Sequence, residues 1–211
     1  MPRSATDPAR RLARLRLPVR GRRIDLIELR REHLPEMVPL LNDRSIARGT
    51  LHIPYPYTIR DARRWLTMNS KNRRGGRALG LLIVRHSDGA VVGGAGLHAF
   101  HTESACAEVG YWLGRPFRGH GYATDAVQLL LRTGFGPLRL HRIVALVFPR
   151  NRASVRVLRR CGFRFEGRIR DEAFKDGRWF STLQFSRLAS DPPVGARRAA
   201  ARAGSHGRRR R

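Results

Sequence analysis

The fold turns on one stretch: Ala105-Cys-Ala-Glu-Val-Gly-Tyr-Trp-Leu-Gly-Arg-Pro-Phe-Arg-Gly-His-Gly-Tyr-Ala-Thr124. Ala105–Leu113 alternates as a strand does. A loop holding Gly114, Gly119 and Gly121 follows, and then a helical pattern from Gly121 to Arg132, with Gly134 expected to close it. Glycines let backbone N–H groups come close to an oxyanion. The helix N-terminus adds partial positive charge and unpaired donors. A strand, glycine loop and helix in this order make a cradle for pyrophosphate. Alternation puts Cys106, Glu108, Gly110 and Trp112 on one face of the strand and Ala107, Val109, Tyr111 and Leu113 on the other. A carboxylate in an apolar strand is costly unless it is paired or functional. Glu108 is therefore a general base or the partner of a nearby arginine.

Outward from this segment the periodicity switches repeatedly between two and 3.6. Ile24–Leu29 reads as a short strand, and Glu32–Asn42 as a helix interrupted by Pro35 and Pro39. Thr58 and Asp61 form a capping-box start, with Trp65 and Met68 on one face of the helix that follows. Leu79–Val84, the turn Asp88-Gly89 and Val91–Phe100 read as a hairpin. Further on come a strand at Arg142–Phe148, a helix at Arg152–Arg160 closed by Gly162, and strands at Phe163–Ile169 and Trp179–Phe185. The order implies an α+β fold with helices packed on a sheet.

Arg118-Gly-His-Gly121-Tyr-Ala123 matches the acetyl-CoA signature of the GNAT superfamily, Arg/Gln-x-x-Gly-x-Gly/Ala, at its fixed positions. Asn151-Arg-Ala-Ser154, followed by Val157-Leu158 and Cys161-Gly162-Phe163, resembles the second signature of that superfamily. Ile53-Pro-Tyr-Pro-Tyr57, Ala107–Leu113, Tyr122–Ala126 and Asp176-Gly-Arg-Trp179 resemble the RimJ/RimL-like branch, which acetylates ribosomal-protein N-termini. The resemblance covers roughly residues 24–188. It implies the GNAT fold: a mixed central sheet whose middle strands splay apart, with helices on both faces. It also implies direct acetyl transfer from acetyl-CoA to a primary amine. The pantetheine arm would slot between the splayed strands. Cofactor contacts would fall on Tyr111, Trp112, Leu113, Arg118, Gly119, His120, Gly121, Tyr122, Ala123, Thr124, Asn151 and Ser154. Glu108 would serve as the base, and Ser154 would donate a hydrogen bond to the departing thiolate. On the residues alone, Asn151 is equally an N-cap and Ser154 an ordinary first-turn residue. Asp171 and Glu172 are secondary candidates for a carboxylate, with solvation as their plainer role. Ser181 stands where relatives often carry an acid, and Phe185 where they often carry a tyrosine, so the acceptor side departs from the branch pattern.

Composition bounds what remains. The 211 residues suit one domain. The formal charge is +27, and all but Lys71 and Lys175 of the 43 basic residues are arginine. Such an excess fits a polyanionic partner such as RNA or the ribosome, or else drift of the composition toward arginine. Residues 1–23 and 186–211 each carry eight arginines against one acid. We expect a basic flexible tail over 1–23, the catalytic domain over 24–188 and a disordered basic tail over 189–211. Two cysteines, no CxxC and no secretory signal fit a reduced cytoplasmic protein. The apolar run Ala78–Val84 is too short to cross a bilayer, so no membrane partner is expected. His98, His101 and His141 lack metal-ligand spacing, so no metal is expected, and Cys161 reads as core packing. The expected assembly is a monomer or homodimer. Three functions follow: acetylation of a protein N-terminal α-amine, acetylation of a small amine, or a non-catalytic RNA-binding module that retains the cofactor cradle.

Overall fold

The computed structural model describes residues 8–194. Eight strands form one mixed sheet in the order β1-β2-β3-β4-β5-β6-β8-β7. They are β1 Val19–Arg20, β2 Ile24–Glu28, β3 Leu79–Arg85, β4 Val91–His101, β5 Cys106–Leu113, β6 Arg142–Val147, β7 Arg164–Lys175 and β8 Arg178–Leu188. The helices are α1 Pro8–Ala13, α2 Leu34–Leu41, α3 Arg44–Gly49, α4 Ile59–Arg74, α5 Tyr122–Phe135 and α6 Arg152–Arg160.

The sheet has an apolar layer on each face because its strands alternate. Leu81 and Ile83 join the larger core with Ala107, Val109, α5 and α6, whereas Leu82 points the other way into a core with α2, α3 and α4. Helices therefore cover both faces, as the resemblance implied. Thr58 caps α4 through a reciprocal capping box with Asp61. Among the described residues, no helix is long and apolar enough to cross a membrane.

β5 and β6 are the only adjacent parallel pair of strands in this sheet, and they pair over three positions, Cys106–Glu108 with Arg142–Val144. Beyond Glu108 they separate. β5 stays paired with β4 to Leu113, and β6 stays paired with β8 to Val147. This fork is the splay the resemblance implied.

Several expectations need correction. Gly134 does not end α5. The helix runs to Phe135 and is capped by Gly136. Gly134 lies against the sheet, where a Cβ would stand 2.6 Å from Ile143 Cδ1, so its role is close packing. β7 extends well past Ile169. It is a largely exposed edge strand with irregular register after Phe165 and Ile169, so it shows little apolar alternation in sequence. Asp176 and Gly177, both with positive φ, turn it into β8.

The described part of segment 1–23 is not a solvated tail. Leu12 is fully buried in the larger core, β1 pairs with β2, and Arg73 Nη2 donates to the Leu15 carbonyl at 3.0 Å. Leu12, Leu15 and Leu17 are separated by arginines and form no continuous apolar run, so the packing of this segment on the core was not legible in the pattern. At the other end Asp191 accepts from the Leu188 N–H and pairs with Arg164. Arg187 is buried, donating to the carbonyls of Cys161 and Pro192. Residues 1–7 and 195–211, which carry the rest of both proposed tails, lie outside the described residues.

Candidate active site

A cavity of about 290 Å³ opens at the fork. Of the residues singled out in sequence, Tyr111, Trp112, Leu113, Arg118, Gly119, Gly121, Ala123, Thr124, Asn151 and Ser154 line it. Glu108 does not, and neither do His120 and Tyr122. Their rings lie 5.9 Å apart, and the Arg23 guanidinium stands over Tyr122.

Gly119 and Gly121 hold φ of +87° and +85°, a region L side chains rarely enter. Gly121 is the N-cap of α5, and no side chain caps this end. The first N–H groups of a helix have no intrahelical acceptor, and Gly121, Ala123 and Thr124 put that end on the cavity. A Cβ on Gly119 would meet nothing within 4 Å. The turn is thus open in front and lined with donors, which fits a pyrophosphate. Asp125 in this first turn would repel an anion, but Arg23 neutralises it at 2.7 Å and also donates to the His120 carbonyl at 3.1 Å. Arg23, assigned to the tail in sequence, therefore buttresses the loop.

The acetyltransferase (GNAT) domain family matches residues 23–164. The chain belongs to this family. An uncharacterized N-acetyltransferase of Bacillus licheniformis, p20, is 40% identical over 107 residues, covering 51% of this chain and 60% of that protein. The chain thus spans about three fifths of that curated relative. The ribosomal protein uS5-alanine N-acetyltransferase of Escherichia coli is 34% identical over 71 residues, covering 34% of this chain and 37% of that protein. Among solved structures, Mycobacterium smegmatis RimJ in complex with CoA-disulfide superposes with a TM-score of 0.75 at 26% identity, covering 89% of this chain and 92% of that one. GNAT acetyltransferases use acetyl-CoA, and an open glycine turn at an uncapped helix end fits the pyrophosphate of that donor.

Glu108 is the last β5 residue paired with β6, at the root of the fork. It alternates with Ala107 and Val109 of the larger core, so its side chain projects to the face carrying α2–α4. Its ionic neighbour is His98, with Nε2 3.6 Å from Oε1, rather than the arginine considered from sequence. Ser154 belongs to the first turn of α6, on the opposite face. Its N–H donates to Asn151 Oδ1 at 3.1 Å, so the N-cap reading of Asn151 holds structurally. The Tyr111 hydroxyl donates to the Ser154 carbonyl at 3.3 Å, and burial pushes that phenol far up, beyond reach as an acid near neutral pH. Cys161 is fully buried and its thiol is pushed up to about 12 by desolvation, as suits a packing residue; Cys106 is only half-buried. Glu172 accepts from the Thr182 hydroxyl at 2.9 Å and, like Asp171, does not line the cavity. Among the described residues, no three His, Cys, Asp or Glu side chains cluster as metal ligands.

Sequence reasoning missed α3. Ser45, Ile46, Gly49 and Thr50 form a wall of the cavity. Arg118 holds one end of this short helix, donating to Ser45 Oγ at 2.8 Å and Asp43 Oδ2 at 3.0 Å, while its Nε donates to the Leu113 carbonyl at 3.1 Å. The other end is held through its carbonyls. Lys175 reaches those of Ala47 and Thr50, Arg150 that of Arg48, and Asn151 that of Gly49. A compact ammonium fits between two carbonyls where a planar guanidinium would not, and burial lowers the Lys175 pKa. The helix is a strap tied to the loops after β5 and β6 and to the β7–β8 hairpin. Its one local sequence signal was Asp43 ahead of Ser45, an N-cap that the structure shows at 2.7 Å.

Proposed function

We propose that the chain transfers the acetyl group of acetyl-CoA directly to a primary amine, and that the acceptor is the α-amine of a protein or peptide N-terminus. The observation that carries this reading is the fork itself: a glycine turn and uncapped helix end at the mouth of a gap between two strands. Tyr111, Trp112, Leu113, Asn151 and the turn at 118–124 would hold the donor, with Arg118 acting mainly to position the turn and α3. Bound acetyl-CoA would supply a thioester whose carbonyl carbon is the electrophile.

The chain supplies the rest. Glu108 on one face of the fork would take a proton from the attacking amine. Ser154 on the other face would donate a hydrogen bond to the departing sulfur. A backbone N–H near Leu113 would stabilise the oxyanion. The amine must be neutral to attack. An α-amine, with a pKa near 8, is roughly ten per cent neutral at pH 7, whereas a lysine near 10.4 is well below one per cent. An α-amine therefore asks less of a single glutamate. None of the described residues lining the cavity is acidic, and Arg118, Arg156 and Arg160 are among them. Polycationic small amines would be repelled there. The resemblance to enzymes that act on ribosomal proteins supports the same acceptor class, and two free cysteines fit a cytoplasmic setting.

The test is release of free thiol from acetyl-CoA across a panel of short peptides with free N-termini, N-blocked lysine peptides and small amines. Faster turnover of free-N-terminus peptides supports the reading. Preference for small amines overturns the acceptor assignment, and no thiol release with any acceptor favours a non-catalytic module.

A further inference from the structure

A second depression, of about 910 Å³, lies at the far end of α5 from the cofactor cavity. Fourteen residues of helix at ~1.5 Å each put roughly 20 Å between the two ends. One wall is α1 and the segment after it, with Arg10, Arg11, Arg14 and Arg16; Arg20 of β1 and Arg132 in the last turn of α5 complete the ring. The floor is partly aliphatic, with Leu15 and Val19. We propose that this groove binds the phosphodiester backbone of RNA.

The charge is concentrated. Six arginines line the groove and no lining residue is acidic. Asp25 pairs with Arg20 at 3.2 Å and is shared with His86 at 2.9 Å. A helix C-terminus contributes about −0.5 of a charge, which cannot offset the guanidinium groups around the end of α5. Arg10, Arg14, Arg16, Arg20 and Arg132 are exposed.

The shape and chemistry select the partner. A guanidinium presents a planar fork that engages phosphate oxygens in pairs. The volume is at the upper end of the ~300–1,000 Å³ range of small-molecule sites, so it suits a run of chain rather than one phosphate. The groove is concave, whereas a membrane surface is flat on this scale. Aliphatic floor and guanidinium faces also accept unstacked bases. Fully buried Leu12 anchors α1 on the core, so the wall is in place before a ligand arrives. This inference does not rest on the acetyl-transfer reading.

The experiment compares three full-length proteins by fluorescence anisotropy with a labelled single-stranded RNA over a range of salt. The groove variant carries Arg10→Ala, Arg14→Ala and Arg132→Ala. The control carries Arg60→Ala, Arg63→Ala and Arg64→Ala, which removes equal charge from the exposed face of α4. Each phosphate neutralised adds about 0.7 to the salt slope for a single strand. The groove variant should lose about 2 from that slope and about tenfold or more in affinity near 0.15 M salt, while the control stays close to wild type. Far-UV circular dichroism and a thermal melt establish that both variants fold. If the groove variant misfolds, Arg14→Gln with Arg132→Gln repeats the measurement. Equal losses in the groove and control variants overturn the proposal, as does groove-dependent binding to anionic lipid vesicles without binding to RNA. Unchanged transfer of acetyl to a short peptide by the groove variant places the effect away from the fork.

Discussion

The two sides of β6 behave differently although they are edges of one strand. Toward β8 it pairs along its whole length, from Arg142–Leu188 to Val147–Leu183. Toward β5 it pairs for three residues and then parts. On the closed side the strand is held by more than its ladder. Arg142 forks onto Glu166, which also accepts from Ser186 Oγ at 2.6 Å and Gln184 Nε2 at 2.9 Å. That network pins β6, β7 and β8 together and lowers the Glu166 pKa to about 2, chiefly through its hydrogen bond with Arg142. On the open side the gap is bridged by α3, tied down at both ends by side chains from other elements. The closed side supplies rigidity with saturated partners. The open side keeps a gap between two strand edges, lined by glycines of the turn as well as by larger side chains such as Tyr111 and Trp112, and a gap of that kind suits a long thin ligand.

The largest test of the open side is Glu108→Gln, which keeps shape and removes the proposed base. We expect kcat/KM to fall about 10²–10⁴-fold at neutral pH and to recover much of the loss at high pH, where the amine deprotonates unaided. A wild-type rate across the pH range would make Glu108 only the partner of His98. Next is Gly121→Val. It forces a β-branched residue into positive φ and spoils the turn that presents the helix N–H groups, so acetyl-CoA affinity should drop by about 2–4 kcal/mol in calorimetry. Unchanged affinity in the folded variant would remove the cradle from the fork.

Ser154→Ala should cost less, about tenfold in kcat, with the pH profile unmoved, because the variant removes the proposed hydrogen bond to sulfur and keeps the proposed base. Arg118→Ala probes the strap. It releases Asp43, Ser45 and the Leu113 carbonyl together, and we expect KM for acetyl-CoA to rise about three- to tenfold with a smaller change in kcat. A proportional fall in kcat with KM fixed would argue against a positioning role.

The smallest effect tests the closed side. The Glu166 pKa is lower in the folded state than its ordinary 4.5, so the network stabilises the fold fully above about pH 4.5 and the contribution is lost as pH falls toward 2. The side chain is partly exposed, and we expect only about 1 kcal/mol. Chemical denaturation of wild type and Glu166→Gln at several pH values should converge in acid and diverge above pH 4.5. Parallel curves would remove the electrostatic account of that side.

The strand, glycine loop and helix that build the fork were legible in the sequence, whereas the splay of the strands was implied only by the family resemblance. Ala107 and Val109 alternate with Glu108, and Gly119 and Gly121 precede a helical pattern; each is a short-range signal carried by neighbouring residues. The limits of α5 were less legible, because glycine at position 134 reads as a stop when nothing shows the sheet against it. β7 was cut short for the complementary reason. An edge strand exposed on most of its length needs no apolar alternation, and its extent was fixed by pairing with β8.

The sequence by itself determined the local chemistry: the left-handed turn that only glycine enters freely, the cap at Asn151, the carboxylate in an apolar strand, and an arginine excess. Tertiary structure decided which of these share a site. It tied Arg118, which lines the cavity, to Asp43, Ser45 and the Leu113 carbonyl, and it placed Arg23 behind the loop and Leu12 in the core. It also gathered six arginines around one groove and left Glu108, His120 and Tyr122 out of the cavity lining. The physical reason is range. Dihedral preference and alternation act over a few residues and leave their mark in the string. Ion pairs such as Arg23–Asp125, 102 positions apart, leave none until the chain has folded.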